Sequence, residues 1–264
     1  MSTSTLTPHG ETITCRITDV RELSRDVLGV TLEGDPAAIN HLPGQYLELA
    51  LDDRTWVPFS IASHSRGDGV IELHIQHRPE RQNSARLREL LTLSGELTVR
   101  LPGGESVLDS QSDRPLLLIA AGTGFAQMKA IVEAVLAEQP SRRVFIWWAA
   151  REHRDLYAEQ LASDWAARFD NVHFHAVTEL ELDQPLLKGP RIAHYQGRID
   201  DVLERALPSL SIEGEPVAAN ECDIYLSGSP GMVYACVDVL EAHGADPERL
   251  YSDVFAYAPR RPAS

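Results

Sequence analysis

Ile119-Ala120-Ala121-Gly122-Thr123-Gly124-Phe125 is the segment whose residue types point most directly to chemistry. Its glycines let backbone N–H groups approach an anion, and a helix beginning there adds favourable partial charge, so what it offers is phosphate binding. The usual dinucleotide fingerprint is incomplete. Gln127 stands where a third Gly or Ala belongs, and no acidic residue closes the next strand, which ends Trp148-Ala149-Ala150-Arg151. Alone, the segment reads equally as a tight turn of any α/β sheet. Ser227-Gly228-Ser229-Pro230-Gly231-Met232 repeats the logic, leading from a strand into a helix with Pro near the first helical position. Two such turns at the C-terminal ends of strands in one sheet favour a bound nucleotide. A GxxxxGK[ST] loop is absent, which argues against a nucleotide-triphosphate engine.

Other constellations are weaker. His74 and His77 fall on opposite faces of a strand; His173 and His175 share a face without a clear third ligand, so no metal site is expected. Cys15, Cys222 and Cys236 are far apart with no CxxC pair, which argues against a disulfide framework, a Cys-rich zinc site or a four-Cys iron–sulfur cluster. They suit a reducing cytoplasm. Gly228-Ser229-Pro230-Gly231 lacks the G-x-S-x-G spacing of a serine hydrolase. Asp19, Glu22 and Asp26 have no paired-carboxylate geometry, and Phe145, Trp147 and Trp148 read as core packing.

The elements that must position the two turns follow from periodicity. Up to about residue 108 the chain reads as strands, at Thr12–Val20, Val27–Leu32, Gln45–Leu51, Val57–Ala62, Val70–His77 and Glu96–Leu101. One helix, Ser84–Leu91, interrupts them. Ile71, Leu73 and Ile75 alternate with Val70, Glu72, His74 and Gln76. A six-stranded antiparallel β-barrel with one helix is predicted. From about residue 115 strand and helix alternate. Strands are predicted at Pro115–Ala121, Arg143–Ala149, Val172–Val177, Asp223–Ser227 and Leu250–Ala256. Helices are predicted at Ala126–Glu138, Asp155–Phe169, Asp200–Ala206 and Pro230–Ala242. This is the grammar of a doubly wound parallel sheet. The polar stretch Asp109–Pro115 reads as a linker, dividing the chain into 1–110 and 111–264.

Composition agrees with a two-unit globular chain of 264 residues, 43% hydrophobic and 24% charged. The net charge of −15 argues against nucleic acid or an anionic membrane as the main partner. The first residues have neither the basic nor the apolar region of a signal peptide, and the apolar runs Leu116–Ala121 and Val144–Ala150 are too short to span a bilayer.

Pro43-Gly44-Gln45-Tyr46, Pro58-Phe59-Ser60-Ile61-Ala62-Ser63, Gly122-Thr123-Gly124-Phe125, Asp155-Leu156-Tyr157 and Ser227–Met232 occur in register. In this the chain resembles the ferredoxin–NADP reductase-like flavoproteins, and within them the bacterial NAD(P)H:flavin oxidoreductases, including the type that supplies reduced flavin to bacterial luciferase. The resemblance runs from about Thr12 to Tyr257. It implies a flavin-binding barrel, 1–110, followed by an NAD(P)-binding α/β unit, 111–264, with the isoalloxazine ring between them. It also implies that Pro58, Phe59, Ser60 and Ile61 edge the flavin, with the Ser60 hydroxyl near N5. Gly122, Thr123, Gly124, Phe125, Ser227, Gly228, Ser229 and Pro230 would hold the nicotinamide nucleotide. Asp253, in what resembles the family's C-terminal strand, is the nearest counterpart of a C-terminal acidic residue that contacts the nicotinamide region or carries a proton.

Departures from the family shape the expectation. Val57 stands where the family usually has an Arg that grips a flavin phosphate, and Val cannot make a charge-assisted hydrogen bond. Arg54, Arg78, Arg81, Arg86, or Asn83 and Ser84 at the helix start, are the candidates to compensate. The resulting expectation is a flavin (FAD, FMN or riboflavin) that exchanges as a substrate. Basic groups for an NADP 2′-phosphate are not evident after Val177, although Arg151 and Arg154 carry charge nearby, so NADH is expected over NADPH. The expected activity is NAD(P)H-dependent flavin reduction, with reduced flavin passing to a monooxygenase, a luciferase-like enzyme or ferric iron. The alternatives are a reductase with tightly held FAD feeding a protein partner, and a non-catalytic flavin or nucleotide sensor.

Overall fold

The structure, a computed structural model, describes residues 10–77, 82–182, 189–212 and 215–260. Strands β1 (Glu11–Ser24), β2 (Val27–Glu33), β3 (Tyr46–Ala50), β4 (Trp56–Ser60), β5 (Val70–Gln76) and β6 (Glu96–Gly103) form an antiparallel sheet in the order β4-β3-β6-β1-β2-β5. Its outer strands meet: Ile61, just past β4, bridges Leu73 of β5, and the Ala62 N–H donates to the Glu72 carbonyl at 2.7 Å. That contact rolls the sheet into a barrel and removes its free edges. Alternation decides what lies inside: Ile71, Leu73 and Ile75 are fully buried together with Leu47, Leu49, Leu97 and Val99. Helix α1 (Gln82–Leu93) packs Leu87 and Leu91 against this core.

The second sheet comprises β7 (Leu116–Ala121), β8 (Val144–Ala150), β9 (Val172–Thr178), β10 (Ile192–Gln196), β13 (Asp223–Ser227) and β14 (Leu250–Tyr251), all in parallel pairs, ordered β10-β9-β8-β7-β13-β14. A small hairpin, β11 (Ser211–Ile212) with β12 (Glu215–Pro216), precedes β13. Helices α2 (Phe125–Glu138), α3 (Glu159–Arg168), α4 (Ile199–Ala206) and α5 (Pro230–Ala242) cover the sheet, and a single turn, α6 (Val254–Tyr257), follows it. β7 runs LLLIA without exposure because it is buried on both faces, its alternate residues feeding two separate cores. Phe145, Trp147 and Trp148 are fully buried there, as expected. The chain winds outward from β7 in one direction and returns through β13 in the other, which places the switch point between those strands.

Three expectations need correction. The helix predicted from Asp155 starts at Glu159; a tight turn over His153–Asp155 precedes it, held by the Glu152 N–H donating to Asp155 Oδ2 at 3.2 Å, and it turns Leu156 inward. Strand β10 was not expected, because an edge strand reading Ile-Ala-His-Tyr-Gln lacks a clear apolar run. The strand predicted over Leu250–Ala256 is only Leu250–Tyr251 followed by α6. Beyond Tyr251 the backbone bonds locally, Phe255 N–H to Ser252 O and Ala256 N–H to Asp253 O, so the apolar run Val254-Phe255-Ala256 follows a helical turn instead of pairing with a neighbour. Arg78 and Arg81 lie outside the described residues.

Candidate active site

The carboxyl ends of β7 and β13 open onto a cleft of about 1570 Å³ whose other wall is the barrel. A single small molecule takes about 300–1,000 Å³, so there is space for two nucleotides. Pro58, Phe59, Ser60, Asn83 and Ser84 line the barrel side. Gly122, Thr123, Gly124, Ser227, Gly228 and Ser229 line the other, and Asp253 reaches in from the chain end. Four expected site residues do not reach the wall. Ile61 turns into the barrel core; Phe125 is fully buried, stacked on Trp148 at 4.0 Å; Pro230 begins α5 outside the cleft; Arg151 is exposed beyond β8.

The two glycine turns touch. A Cβ on Gly124 would stand 2.2 Å from the Ser227 carbonyl oxygen, so only glycine permits the approach. Gly122 has φ +53°, with its carbonyl accepting the Trp148 indole N–H at 3.0 Å. N–H groups at the start of a helix lack intrahelical partners, and α2 starts facing the cleft. At α5 the Ser229 hydroxyl caps the helix, accepting from Met232 N–H at 3.4 Å. These donor-rich turns fit the phosphates of a dinucleotide, and the flat wall of Pro58 and Phe59 fits an aromatic ring.

At the far end the Tyr46 ring lies against Gly103 and Gly104. A Cβ on Gly104 would meet both Tyr46 and Asp253 Oδ1 at 2.9 Å, so glycine is required at this φ of +91° for the ring and the carboxyl to come this close. Burial raises the Asp253 carboxyl to about 6; Ser106 (hydroxyl and N–H) and the Glu105 N–H oppose the rise, and the Glu105 charge adds to it. Because the folded value exceeds the ordinary carboxylate value of about 3.9, the native state binds this proton more tightly than the unfolded chain. Its contribution therefore declines as pH rises from about 4 to about 6 and is flat above. Asp253→Asn is expected to gain stability relative to the parent across that window, by at most about 3 kcal/mol at pH 7. Urea melts at several pH values measure this; parallel pH profiles for the two proteins would remove the claim.

Several cleft residues were missed as site residues, His74 among them. His74 reads as a polar position on β5, yet it is only 5% exposed. Its Nδ1 lies 3.0 Å from the Tyr157 hydroxyl and its Nε2 3.2 Å from Glu72. Burial lowers the imidazole below its ordinary value despite Glu72. A neutral ring, donating from Nε2 to Glu72 and accepting at Nδ1 from Tyr157, satisfies both contacts. Burial would raise Glu72, but the His74 hydrogen bond and the Lys129 ammonium hold it down to about 2. The signal was absent from the local sequence because Tyr157 and Lys129 arrive from the other half of the chain.

Residues 118–238 match the oxidoreductase NAD-binding domain family. The chain is 28% identical over 252 residues to an NAD(P)H-flavin reductase of Vibrio harveyi, covering 93% of this chain and 99% of that protein. A probable flavin reductase, also of Vibrio harveyi, is 30% identical over 248 residues, covering 92% and 99%. Among solved structures, the ferredoxin reductase in carbazole 1,9a-dioxygenase superposes with a TM-score of 0.71 at 26% identity, over 91% of this chain and 68% of that one. The match to the NAD-binding family and to flavin reductases along nearly the whole chain makes the protein an oxidoreductase, and the barrel facing the switch point of the parallel sheet is the fold that goes with it. The chain belongs to the flavin reductase family of the ferredoxin–NADP reductase-like flavoproteins.

Proposed function

We propose that this protein is an NAD(P)H-dependent flavin reductase, with residues 1–110 as the flavin unit and 111–264 as the nucleotide unit. The observation that carries this is one cleft with two mutually touching glycine turns on one wall and Pro58-Phe59-Ser60 on the other. When bound, the nicotinamide supplies a hydride and the flavin accepts it at N5. The chain's part is to place two rings face to face and exclude water between them. Ser60, at the end of β4 on the cleft wall, would offer its hydroxyl as a hydrogen-bond partner to the N5 edge of a flavin bound there. Asp253, held by the Glu105–Ser106 turn at the cleft wall, would stand near a bound nicotinamide and hold or release a proton there.

Exchangeable flavin is the reading that the charges support. Among the described residues no Lys or Arg lines the cleft. Arg86 is engaged with Leu51 O and Glu89, Arg100 pairs with Glu48 beneath Trp56, and Arg54 is exposed. NADH is favoured over NADPH because the exposed Arg151 does not line the cleft and Arg154 is paired with Glu152. Reduced flavin would pass to a monooxygenase or a luciferase-like acceptor. The reading places the protein in the cytoplasm: its three cysteines are free and buried, and among the described residues no helix is long and apolar enough to cross a membrane.

The test is NADH oxidation with added riboflavin, FMN or FAD. Turnover with all three by a protein that emerges colourless from gel filtration is the expected result. Stoichiometric FAD retained through dilution transfers the case to the tight-FAD reductase, and no oxidation at all to a sensor. In anaerobic single turnover, Ser60→Ala is expected to slow hydride transfer about tenfold, the worth of one hydrogen bond of about 1.4 kcal/mol. NADH affinity should barely change. Equal single-turnover rates would refute the role of Ser60.

A further inference from the structure

Gln127 breaks the dinucleotide fingerprint, and the fold shows what it does instead. It sits in the first turn of α2 behind the Gly122–Gly124 turn and is 2% exposed, and its Nε2 donates across the cleft margin to the Gly44 carbonyl at 2.7 Å. The acceptor is rigid. Gly44 has φ +102°, a Cβ there would lie 2.1 Å from Ser106 O, and the adjacent Pro43 carbonyl accepts the Leu108 N–H at 2.9 Å. Two residues further along α2, Lys129 crosses in the same sense, donating to the Ala62 carbonyl at 2.9 Å and to Glu72 at 2.8 Å, while Glu133 holds it at 2.7 Å. Ala62 lies two residues beyond Ser60, and the Ile61 N–H donates to the Gln45 carbonyl at 3.0 Å. The Lys129 strut therefore ends two residues past Ser60, the Gln127 strut ends on the loop into β3 beside the Gln45 that holds Ile61, and both begin on the helix whose start forms the nucleotide turn.

We propose that Gln127 and Lys129 are positioning residues that set the distance between the Gly122–Gly124 turn and the Ser60 wall, and so between hydride donor and acceptor. A Gly or Ala at 127 would pack the helix closely on its own sheet but leave the Gly44 carbonyl without this partner. Gln trades that close packing for a rigid link between the halves. Neither residue needs to touch the reacting atoms; the effect is on alignment, where a displacement of about 1 Å is enough to cost up to about 100-fold in rate.

The inference rests on the flavin reductase reading, and the experiment separates the two. Enzyme premixed with riboflavin is mixed anaerobically with NADH, and bleaching of the flavin gives a first-order rate at saturating NADH. For Gln127→Met, similar in length without a donor, that rate is expected to fall about tenfold. The NADH concentration giving half the maximal rate should stay within about threefold. Gln127→Asn, too short to span the gap, keeps polarity and provides a second variant should Met disturb the fold. A role confined to stability would lower the melting temperature and the amplitude, because less protein is active, yet leave the first-order constant unmoved. Rates within about twofold of the parent in both variants overturn the proposal. No bleaching by the parent protein overturns the reductase reading instead.

Discussion

Arg142→Ala is expected to destabilise the protein by about 3–5 kcal/mol, because it strips the partner from a fully buried carboxylate. Arg142 Nη2 donates to Asp223 Oδ2 at 2.7 Å, with the side chains 1% and 0% exposed. The same guanidinium holds the Arg114 carbonyl at 2.8 Å, the Asp109 carbonyl at 2.9 Å and Gln139 Oε1 at 3.0 Å. It thus ties the segment joining the halves to the entry of β8 and β13. Removal leaves several buried acceptors without a donor, each a cost of about 1–3 kcal/mol, offset by whatever water the gap admits. Arg249 remains on Asp223 Oδ1 at 2.9 Å, but it is the partly exposed member of the cluster, and the linker carbonyls are held by Arg142. Guanidinium unfolding followed by fluorescence of the buried Trp147 and Trp148 reads the loss as a lower midpoint at unchanged slope. A loss under about 1 kcal/mol would mean that Arg249 alone compensates Asp223.

The second large effect is on the nucleotide side. Gly124→Ala is expected to weaken NADH binding about 100-fold while leaving flavin affinity nearly unchanged. The added Cβ would stand 2.2 Å from Ser227 O, 2.7 Å from its carbonyl carbon and 3.0 Å from its Oγ. Two of those atoms are backbone in a central strand, so no rotamer change relieves the clash, and the β7 and β13 turns must separate. Gly228→Ala is the internal control. Its Cβ meets the Met232 methyl at 2.3 Å, the far end of a flexible side chain that can swing away, so its effect should be only a few-fold. Fluorescence titration with NADH compares the two. Similar losses for both variants would show that the glycines act through general loosening and not through the contact of the turns.

Much of this architecture was legible before any coordinates. The β7 run LLLIAA, the Ser227 turn and the bounds of β13 and α5 all follow from local pattern, because a strand buried on two faces and a Pro-initiated helix each leave a contiguous signature. The end of the chain did not. Leu250–Ala256 is apolar enough for a strand, and the choice of a helical turn rests on whether a neighbouring edge is available to pair with. Ser60 and Asp253 were identifiable as candidates through their motifs. His74, a polar position on a strand, was not, and Gln127 showed only as a break in the fingerprint, with nothing nearby in sequence to indicate its partner Gly44.

Most of the element order, the two halves and the two glycine turns were written into the sequence, because periodicity and glycine placement act within a few residues of themselves. The cross-links were decided only in three dimensions: Gln127 to Gly44, Lys129 to Ala62 and Glu72, His74 to Tyr157, and Arg142 to Asp223. Each joins residues from 57 to 83 positions apart. The cost of burying a polar or charged group is met by whatever partner the packed chain delivers. That partner is set by where two surfaces meet, a property that no local stretch of residues encodes.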